Sequence, residues 1–174
     1  KFLAPIIQGQ KTGWFYDHRV NRAQLQHYVK GKRVLDVFSY IGGWGIQAAM
    51  AGAAEVICVD ASESALEGVA RNAELNNLEN VSGIQGKAID VLKHLIAEDE
   101  RFDVIVLDPP AFIKRKKDQK NGEAAYRHIN ELAMRLLGRD GILVSASCSM
   151  HLAKDTLLEI VRASGRHLDR HVQI

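Results

Sequence analysis

Apolar and polar positions follow two different periods along most of this chain. Short continuous apolar runs, typical of strands buried on both faces, occur at residues 34–38, 56–59, 81–84, 104–107 and 142–146. Segments with helical periodicity lie between or after them, at residues 44–50, 62–76, 88–97, 123–137 and 152–163. Strands that alternate with helices predict an α/β fold, with a doubly wound, Rossmann-like parallel sheet covered by helices on both faces.

The two ends of the chain depart from this alternation. Residues 1–17 are rich in glycine and aromatic residues and contain the turn-like Gln8-Gly9-Gln10, which predicts a β-hairpin. Asp17 is expected to cap a helix over residues 18–29 that Gly31 stops. We therefore divide the chain into an N-terminal hairpin and helix, residues 1–30, and a core, residues 31–174. Residues 168–174 are expected to begin a sixth strand.

Composition adds few constraints. The chain has 174 residues, which suits one domain with a sizeable core, and its net charge of +2 permits a nucleic-acid partner without requiring one. No apolar run approaches the roughly 18 residues of a membrane span. Cys58 and Cys148 form neither a disulfide framework nor a zinc motif, which predicts a reducing, cytoplasmic location. The chain begins without Met or a signal-peptide pattern, which favours a fragment of a longer protein.

The first predicted strand leads into a loop that is typical of nucleotide binding. Glycines between a strand and a helix let a ligand approach the backbone and the free N–H groups of the helix. An acid at the end of the second strand can accept both ribose hydroxyls. The candidate cofactor-binding residues of these two loops are Phe38, Ser39, Tyr40, Gly42, Gly43, Asp60, Ala61 and Ser62.

Two adenosine-containing cofactors fit these loops. The segment Gly43-Trp44-Gly45-Ile46-Gln47-Ala48 matches the dinucleotide fingerprint G-x-G-x-x-A. A dinucleotide cofactor, however, gives no role to Asp108, and the sequence contains no obvious groups for hydride transfer. S-adenosylmethionine fits better, with Asp90 accepting from the adenine amino group and Asp108 facing the methyl donor. Asp90 is also explained as an acid favoured by a helix N-terminus.

Asp108-Pro109-Pro110 ends the fourth predicted strand in an unusual way. Proline lacks an N–H group and holds the preceding residue extended, so Asp108 should lie rigidly at the carboxyl edge of the sheet, where ligands of α/β folds bind. The alternative is a strand-terminating turn with a solvated aspartate. Cys148 follows the fifth strand and should lie beside Asp108, although it is also explained as a small buried hydrophobic residue.

Four ordered segments resemble those of class I S-adenosylmethionine-dependent RNA methyltransferases, and most closely the large-subunit ribosomal RNA cytosine-C5 methyltransferases. They are QKTGWFYDHR at 10–19, DVFSYIGG at 36–43, DPPAF at 108–112 and SCS at 147–149. The resemblance implies a seven-stranded sheet with an antiparallel last strand, before which this chain is expected to end. It also implies a PUA-type RNA-binding domain, which is expected to be missing from this chain. It also places Lys11, Thr12 and Phe15 near the cofactor.

The resemblance gives Cys148 and Asp108 catalytic roles. A Cys148 thiolate would add to carbon 6 of a flipped-out cytosine and so activate carbon 5, while Asp108 would hydrogen-bond the base. A guanine methyltransferase of a sister group and an RNA-binding domain without catalysis are the alternatives. Relatives of another branch carry a second cysteine for product release where this chain has Ala111, so release is expected to need another base or water.

The substrate side is predicted from the residues after Asp108. Lys114, Arg115, Lys116 and Lys117 form a basic loop that suits RNA phosphates, or else a solvated charge run. Phe112 would stack on a flipped base or anchor the loop. The histidines show no metal-binding spacing, so no metal is predicted.

Overall fold

The computed structural model describes residues 1–4 and 13–174 and has the predicted α/β architecture. Within this part, five strands form one sheet: β1 Arg33–Val37, β2 Glu55–Asp60, β3 Val81–Gln85, β4 Phe102–Leu107 and β5 Leu137–Ser145. Their order is β3-β2-β1-β4-β5, and every neighbouring pair is parallel. The switch in direction of strand order at β1 and β4 places the loops after these strands at the position where α/β sheets bind ligands.

Helices cover both faces of the sheet, as predicted. They are α1 Arg19–Leu25, α2 Gly45–Met50, α3 Glu63–Leu75, α4 Ala88–Ala97, α5 Gln119–Leu136 and α6 Lys154–His167. Apolar residues of α1, α2 and α3 pack on one face of the sheet, and those of α4 and α5 pack on the other. Alternate residues of the central strands β1, β2 and β4 reach opposite cores, so the buried positions of these three strands are apolar, except at Asp36 in β1.

The first helix is shorter than predicted and lacks the predicted cap. It ends at Leu25 rather than residue 29, and its N-cap is His18, without a side-chain cap bond. After Leu25 the N–H groups of His27 and Tyr28 bond three residues back, which tightens the chain into turns. These turns bring the side chain of Val29 into the core, where it is fully buried. The burial of this side chain thus accompanies the end of the helix at Leu25.

The predicted sixth strand is also wrong, because residues 168–174 form a turn and irregular chain. The Arg170 guanidinium donates to the carbonyls of Met134, Leu137 and Gly138, which ties this segment to the α5–β5 junction instead of to a strand edge. The centre of the predicted β-hairpin, residues 5–12, lies outside the described residues, and residues 1–4 and 13–17 form no strand. No helix in the described part of the chain is long and apolar enough to cross a membrane.

Candidate functional site

The loop after β1 holds a strained backbone at the carboxyl edge of the sheet. Phe38 and Tyr40 adopt left-handed conformations, with φ of 66° and 50°, which side chains with a Cβ atom disfavour. Two N–H groups, of Phe38 and Ser39, donate to the Val59 carbonyl at 2.9 and 3.0 Å and hold the loop against β2. Gly42 completes the turn with φ of 82°. Strain of this kind is concentrated at ligand-binding sites.

Asp60, at the end of β2, joins this loop to the next one. Its Oδ2 accepts from the Tyr40 N–H and its Oδ1 from the Ser62 N–H, both at 2.9 Å. The Ser62 hydroxyl in turn caps α3 by accepting from the Ala65 N–H. Asp60 is half-buried and Ala61 exposed, so each carboxylate oxygen keeps a lone pair at an open edge. This arrangement fits two ribose hydroxyl donors.

Asp36 lies beneath the glycine loop and is a polar residue that sequence analysis did not assign to the site. Its Oδ2 accepts from the Gly45 N–H at 2.8 Å, and its Oδ1 has no partner in the part of the chain that the structure describes. Burial, reinforced by the charges of Asp108 and Asp60, raises the pKa of this carboxyl to about 7, although the Gly45 hydrogen bond opposes the change. The signal was present in the sequence, as an acid inside an apolar run.

Asp36 should make the stability of the protein depend on pH. Because its folded-state pKa of about 7 exceeds the ordinary 3.8, the proton stabilises the folded state most fully below about pH 4, and this contribution is lost as pH rises to about 7. The difference corresponds to on the order of 4 kcal/mol. Asp36→Asn has no proton to lose at this position. In urea unfolding, the free energy of unfolding of this variant should therefore fall less than that of the wild type between about pH 4 and pH 7, by on the order of 4 kcal/mol. Equal pH dependence in the two proteins would contradict the assignment.

Asp108 is contacted by two side chains at the starts of α1 and α2. The Trp44 indole N–H donates to Oδ2 at 3.0 Å, and His18 Nε2 lies 3.6 Å from Oδ1. The side chains of Asp108 and His18 remain about one quarter exposed, at 25% and 22%. Neither Trp44 nor His18 is predicted from the sequence to belong to the site, because nothing in the local pattern shows that they reach a residue 64 or more positions away. The carboxylate is therefore fixed rather than solvated.

Residues 13–18 lie over the glycine loop. A Cβ atom added to Gly43 would lie 3.9 Å from the Trp14 ring, and the Phe15 ring meets Tyr40 edge-on with centroids 5.8 Å apart. The buried Arg22 side chain donates to the Phe15 carbonyl at 3.0 Å and lies over the Trp14 ring. This segment thus packs on the loop for which a cofactor role is predicted.

Cys148 lies in the turn after β5, next to the Asp108 strand end. Its Sγ is 3.7 Å from the Pro109 carbonyl oxygen, and the residue is exposed. The register that pairs Leu107 with Ser145 brings these two loops to the same edge of the sheet. Cys58, by contrast, is fully buried within β2. Exposure of Cys148 excludes the alternative of a small buried core residue.

A single buried hydroxyl organises the Cys148 turn. The Tyr126 hydroxyl lies 2.8 Å from the Ser147 hydroxyl and 2.9 Å from the Ser149 hydroxyl, on either side of Cys148. Ser149 Oγ also accepts from the Ile113 N–H, in the loop that follows Asp108-Pro109-Pro110. Tyr126 therefore connects the cysteine turn to the aspartate loop, a link that the sequence spacing does not reveal.

Removal of this hydroxyl should destabilise the protein measurably. Tyr126→Phe keeps the ring but leaves two serine hydroxyls without their partner, which should lower the free energy of unfolding by about 1–3 kcal/mol. Tyr40→Phe is the matched control, since the Tyr40 hydroxyl is buried without a partner among the described residues and its removal should cost nothing. Urea titration compares the two. Equal losses in both variants would show that the bridge contributes no stability.

The remaining predicted site residues are more dispersed. Asp90 is exposed in the first turn of α4 and makes no side-chain hydrogen bond or ion pair with any described residue. Phe112 is half-buried between Phe38 and Tyr126, at centroid distances of 6.3 and 4.8 Å, which matches a loop anchor better than a free stacking ring. Lys11 and Thr12 lie outside the described residues, so their predicted cofactor contacts stay predictions.

The basic residues after Phe112 are all exposed. Lys114 and Arg115 precede a short 3-10 turn, Lys116–Asp118, that leads directly into α5. Arg115 pairs with Asp118 at 3.0 Å, whereas no ion pair with a described residue involves Lys114, Lys116 or Lys117. The three lysines are thus available to bind an anion. Over residues 1–4 and 13–174, no cluster of His, Cys, Asp or Glu is placed to hold a metal ion.

The sequence matches a known family over most of its length. The family described as "Methyltransferase domain" matches residues 29–173. The chain belongs to this family. It is also 40% identical over 176 residues to ribosomal RNA large subunit methyltransferase I of Aeromonas salmonicida, covering 100% of this chain and 44% of the relative. The Escherichia coli protein of the same name is 37% identical over 175 residues, covering 99% and 44%. The chain therefore spans under half the length of these relatives.

Solved structures confirm the fold. A SAM-dependent methyltransferase from Agrobacterium tumefaciens superposes with a TM-score of 0.78 at 23% identity, covering 94% of this chain and 55% of that one. SMU.776, determined in complex with SAH, gives 0.79 at 23% identity, covering 90% and 42%. The predicted Rossmann-like fold is confirmed, and the predicted class, an S-adenosylmethionine-dependent methyltransferase domain, agrees with the family.

Proposed function

We propose that this chain is the catalytic part of an S-adenosylmethionine-dependent methyltransferase that acts on carbon 5 of a cytosine in large-subunit ribosomal RNA. The observation that carries the proposal is the meeting of Cys148 with the Asp108 strand end. The Cys148 Sγ lies 3.7 Å from the carbonyl of Pro109, the residue that follows Asp108. A nucleophile and a base-recognising carboxylate at adjacent strand ends suit chemistry on a pyrimidine ring.

The residues of the first two loops fit the cofactor. S-adenosylmethionine, when bound, supplies an electrophilic methyl group. Asp60 would accept the ribose hydroxyls, because each of its oxygens accepts only one N–H in the structure. The loop from Phe38 to Gly43 would contact the remainder of the cofactor through its backbone, while Asp90 would meet the adenine amino group from the exposed start of α4.

Cys148 would supply the activation that cytosine carbon 5 needs. The thiolate would attack carbon 6, and the carbon 5–carbon 6 electron pair would shift toward carbon 5. Carbon 5 would then take the methyl group, while the electron pair of the broken sulfur–methyl bond stays on the sulfur of the donor. The exposed thiol meets the requirement for access. The Tyr126 bridge to Ser147 and Ser149 would hold the cysteine turn in place during attack.

Asp108 would recognise the base. Its two contacts, with Trp44 and His18, fix the carboxylate while leaving it one quarter exposed. A carboxylate in this position can accept from the exocyclic amine of cytosine and stabilise the adduct electrostatically. The exposed lysines at positions 114, 116 and 117 would bind RNA phosphates near the site. The names of the relatives, which specify large-subunit ribosomal RNA, support the substrate class.

Nucleoside mass spectrometry tests this proposal. The protein is incubated with protein-free large-subunit ribosomal RNA and S-adenosylmethionine carrying a labelled methyl group, and the RNA is digested to nucleosides. The proposal predicts label in 5-methylcytidine. Label in a methylguanosine would favour the guanine methyltransferases of the sister group and would refute the role of Cys148. Binding of RNA without any labelled nucleoside would favour a non-catalytic RNA-binding domain.

A further inference from the structure

The proposed reaction leaves one proton without an acceptor. After methyl transfer, carbon 5 of the adduct carries both the new methyl group and its original hydrogen. This hydrogen must leave as a proton before the carbon 6–sulfur bond can break. Ala111, in the loop after Asp108, offers no acid–base group, and sequence analysis named no other base. The structure brings one candidate to the Asp108 carboxylate.

We propose that His18 is the general base that removes this proton and so releases the methylated product. The inference rests on the proposed cytosine-C5 chemistry. His18 Nε2 lies 3.6 Å from Asp108 Oδ1, so the imidazole reaches the strand end beside which Cys148 also lies. Histidine is the side chain most often used for proton transfer near neutral pH. Its 22% exposure leaves one edge open to substrate and solvent.

Three contacts orient the ring of His18. Its centroid lies 5.5 Å from that of the Trp44 ring, with the two planes tilted by 40°, Nδ1 is 3.1 Å from the Asn21 side-chain amide, and Nε2 is 3.6 Å from Asp108 Oδ1. The amide group offers either a donor or an acceptor on rotation, so it can satisfy Nδ1 in both neutral tautomers and in the cation. Nε2 lies 3.6 Å from Asp108 Oδ1, beyond hydrogen-bond distance, so its lone pair is free to take a proton.

Asp108 lies next to the nitrogen at which His18 would take up the proton. Asp108 is the nearest carboxylate and would stabilise the imidazolium formed by proton transfer. The same Asp108 keeps its other oxygen bonded to Trp44, so it stays in place while the charge on His18 changes. The Tyr126 hydroxyl is less suitable as the base, because Tyr126 is fully buried and its hydroxyl already bonds to Ser147 and Ser149.

Product release requires one proton transfer and the cleavage of one carbon–sulfur bond. The lone pair on Nε2 of neutral His18 takes the proton from carbon 5, and the carbon–hydrogen electron pair re-forms the carbon 5–carbon 6 double bond. The carbon 6–sulfur pair returns to Cys148 as thiolate. The imidazolium then gives its proton to water at its exposed edge, which restores the neutral ring.

The test uses His18→Gln with ordinary, unfluorinated RNA and S-adenosylmethionine. The variant should carry out one methyl transfer and then stall, so a covalent protein–RNA complex containing the labelled methyl group should accumulate on a denaturing gel. Steady-state turnover should fall by about 10²-fold or more. His27→Gln is the matched control, since His27 is exposed in the turns after α1 and should behave like the wild type. Added imidazole should release RNA from the complex formed by His18→Ala.

Two results would overturn the assignment. Unchanged turnover in His18→Gln would show that the proton goes elsewhere, and lost activity without a stalled complex would show that His18 acts before or outside the release step. Failure of the proposed function gives a different result, because the wild type itself would then form no complex with RNA that contains 5-fluorocytosine. The two failures are therefore distinguishable.

Discussion

Cys148→Ala is expected to abolish methylation, with a fall in kcat of about 10³-fold or more. The alanine variant has no nucleophile to activate carbon 5, and removal of a covalent nucleophile leaves only binding and electrostatic contributions. The exposed position of Cys148 and its contact with Pro109 predict that folding is little affected. Methyl incorporation into RNA, measured under saturating cofactor and RNA, gives the comparison.

Cys58→Ala is the matched control for this prediction. Cys58 is fully buried in β2, and burial raises the pKa of its thiol well above the ordinary value, so it should be inert as a nucleophile. The variant should lose some stability through the cavity it creates but retain wild-type kcat. Full activity in Cys148→Ala, or loss of activity only in Cys58→Ala, would contradict the assignment of the nucleophile.

Asp60→Asn is expected to weaken S-adenosylmethionine binding by roughly 10- to 150-fold, which corresponds to about 1.5–3 kcal/mol for hydrogen bonds to a charged group. The carboxylate has two oxygens, each with one backbone N–H donor, whereas asparagine keeps one acceptor oxygen for the Tyr40 and Ser62 N–H groups. One loop N–H and the ribose therefore lose an acceptor. Titration calorimetry with the cofactor alone measures this without RNA.

Glu63→Gln is the control for charge. Glu63 is exposed in the first turn of α3, three residues from Asp60, so its substitution removes a nearby negative charge without touching the loop. Its effect on cofactor affinity should be small because exposed charges are screened. Equal affinities for the wild type and Asp60→Asn would show that the β2 acid does not hold the ribose.

The fold could be predicted from sequence because its signals are local. Continuous apolar runs separated by helical segments already specify a parallel sheet, and the structure has each of the five strands where a run predicts it. The predicted end of α1 and the predicted sixth strand were wrong, because contacts with residues distant in sequence determine the conformation there. Burial of Val29 ends α1 early, and the bonds of Arg170 to the α5–β5 junction hold residues 168–174 away from a strand. Neither contact is visible in the local pattern.

The candidate site was predictable to a similar extent. The position of Asp60 and Asp108 at one edge of the sheet could be predicted, because the ends of parallel strands meet there. The side chains that contact Asp108 could not be predicted, because Trp44 and His18 reach it only through the folded arrangement of α1, α2 and β4. The Tyr126 bridge is of the same kind, since its serine partners lie more than 20 positions away.

The most direct test of the central claim, that Cys148 attacks the cytosine ring, is covalent trapping with RNA that contains 5-fluorocytosine. A base can remove hydrogen from carbon 5 as a proton, but it cannot remove fluorine as a cation. The adduct should therefore persist after methyl transfer and survive a denaturing gel. The account predicts a stable complex with the wild type and with Cys58→Ala, and none with Cys148→Ala. A wild-type protein that methylates this RNA without forming the complex, or a complex that persists in Cys148→Ala, would contradict it.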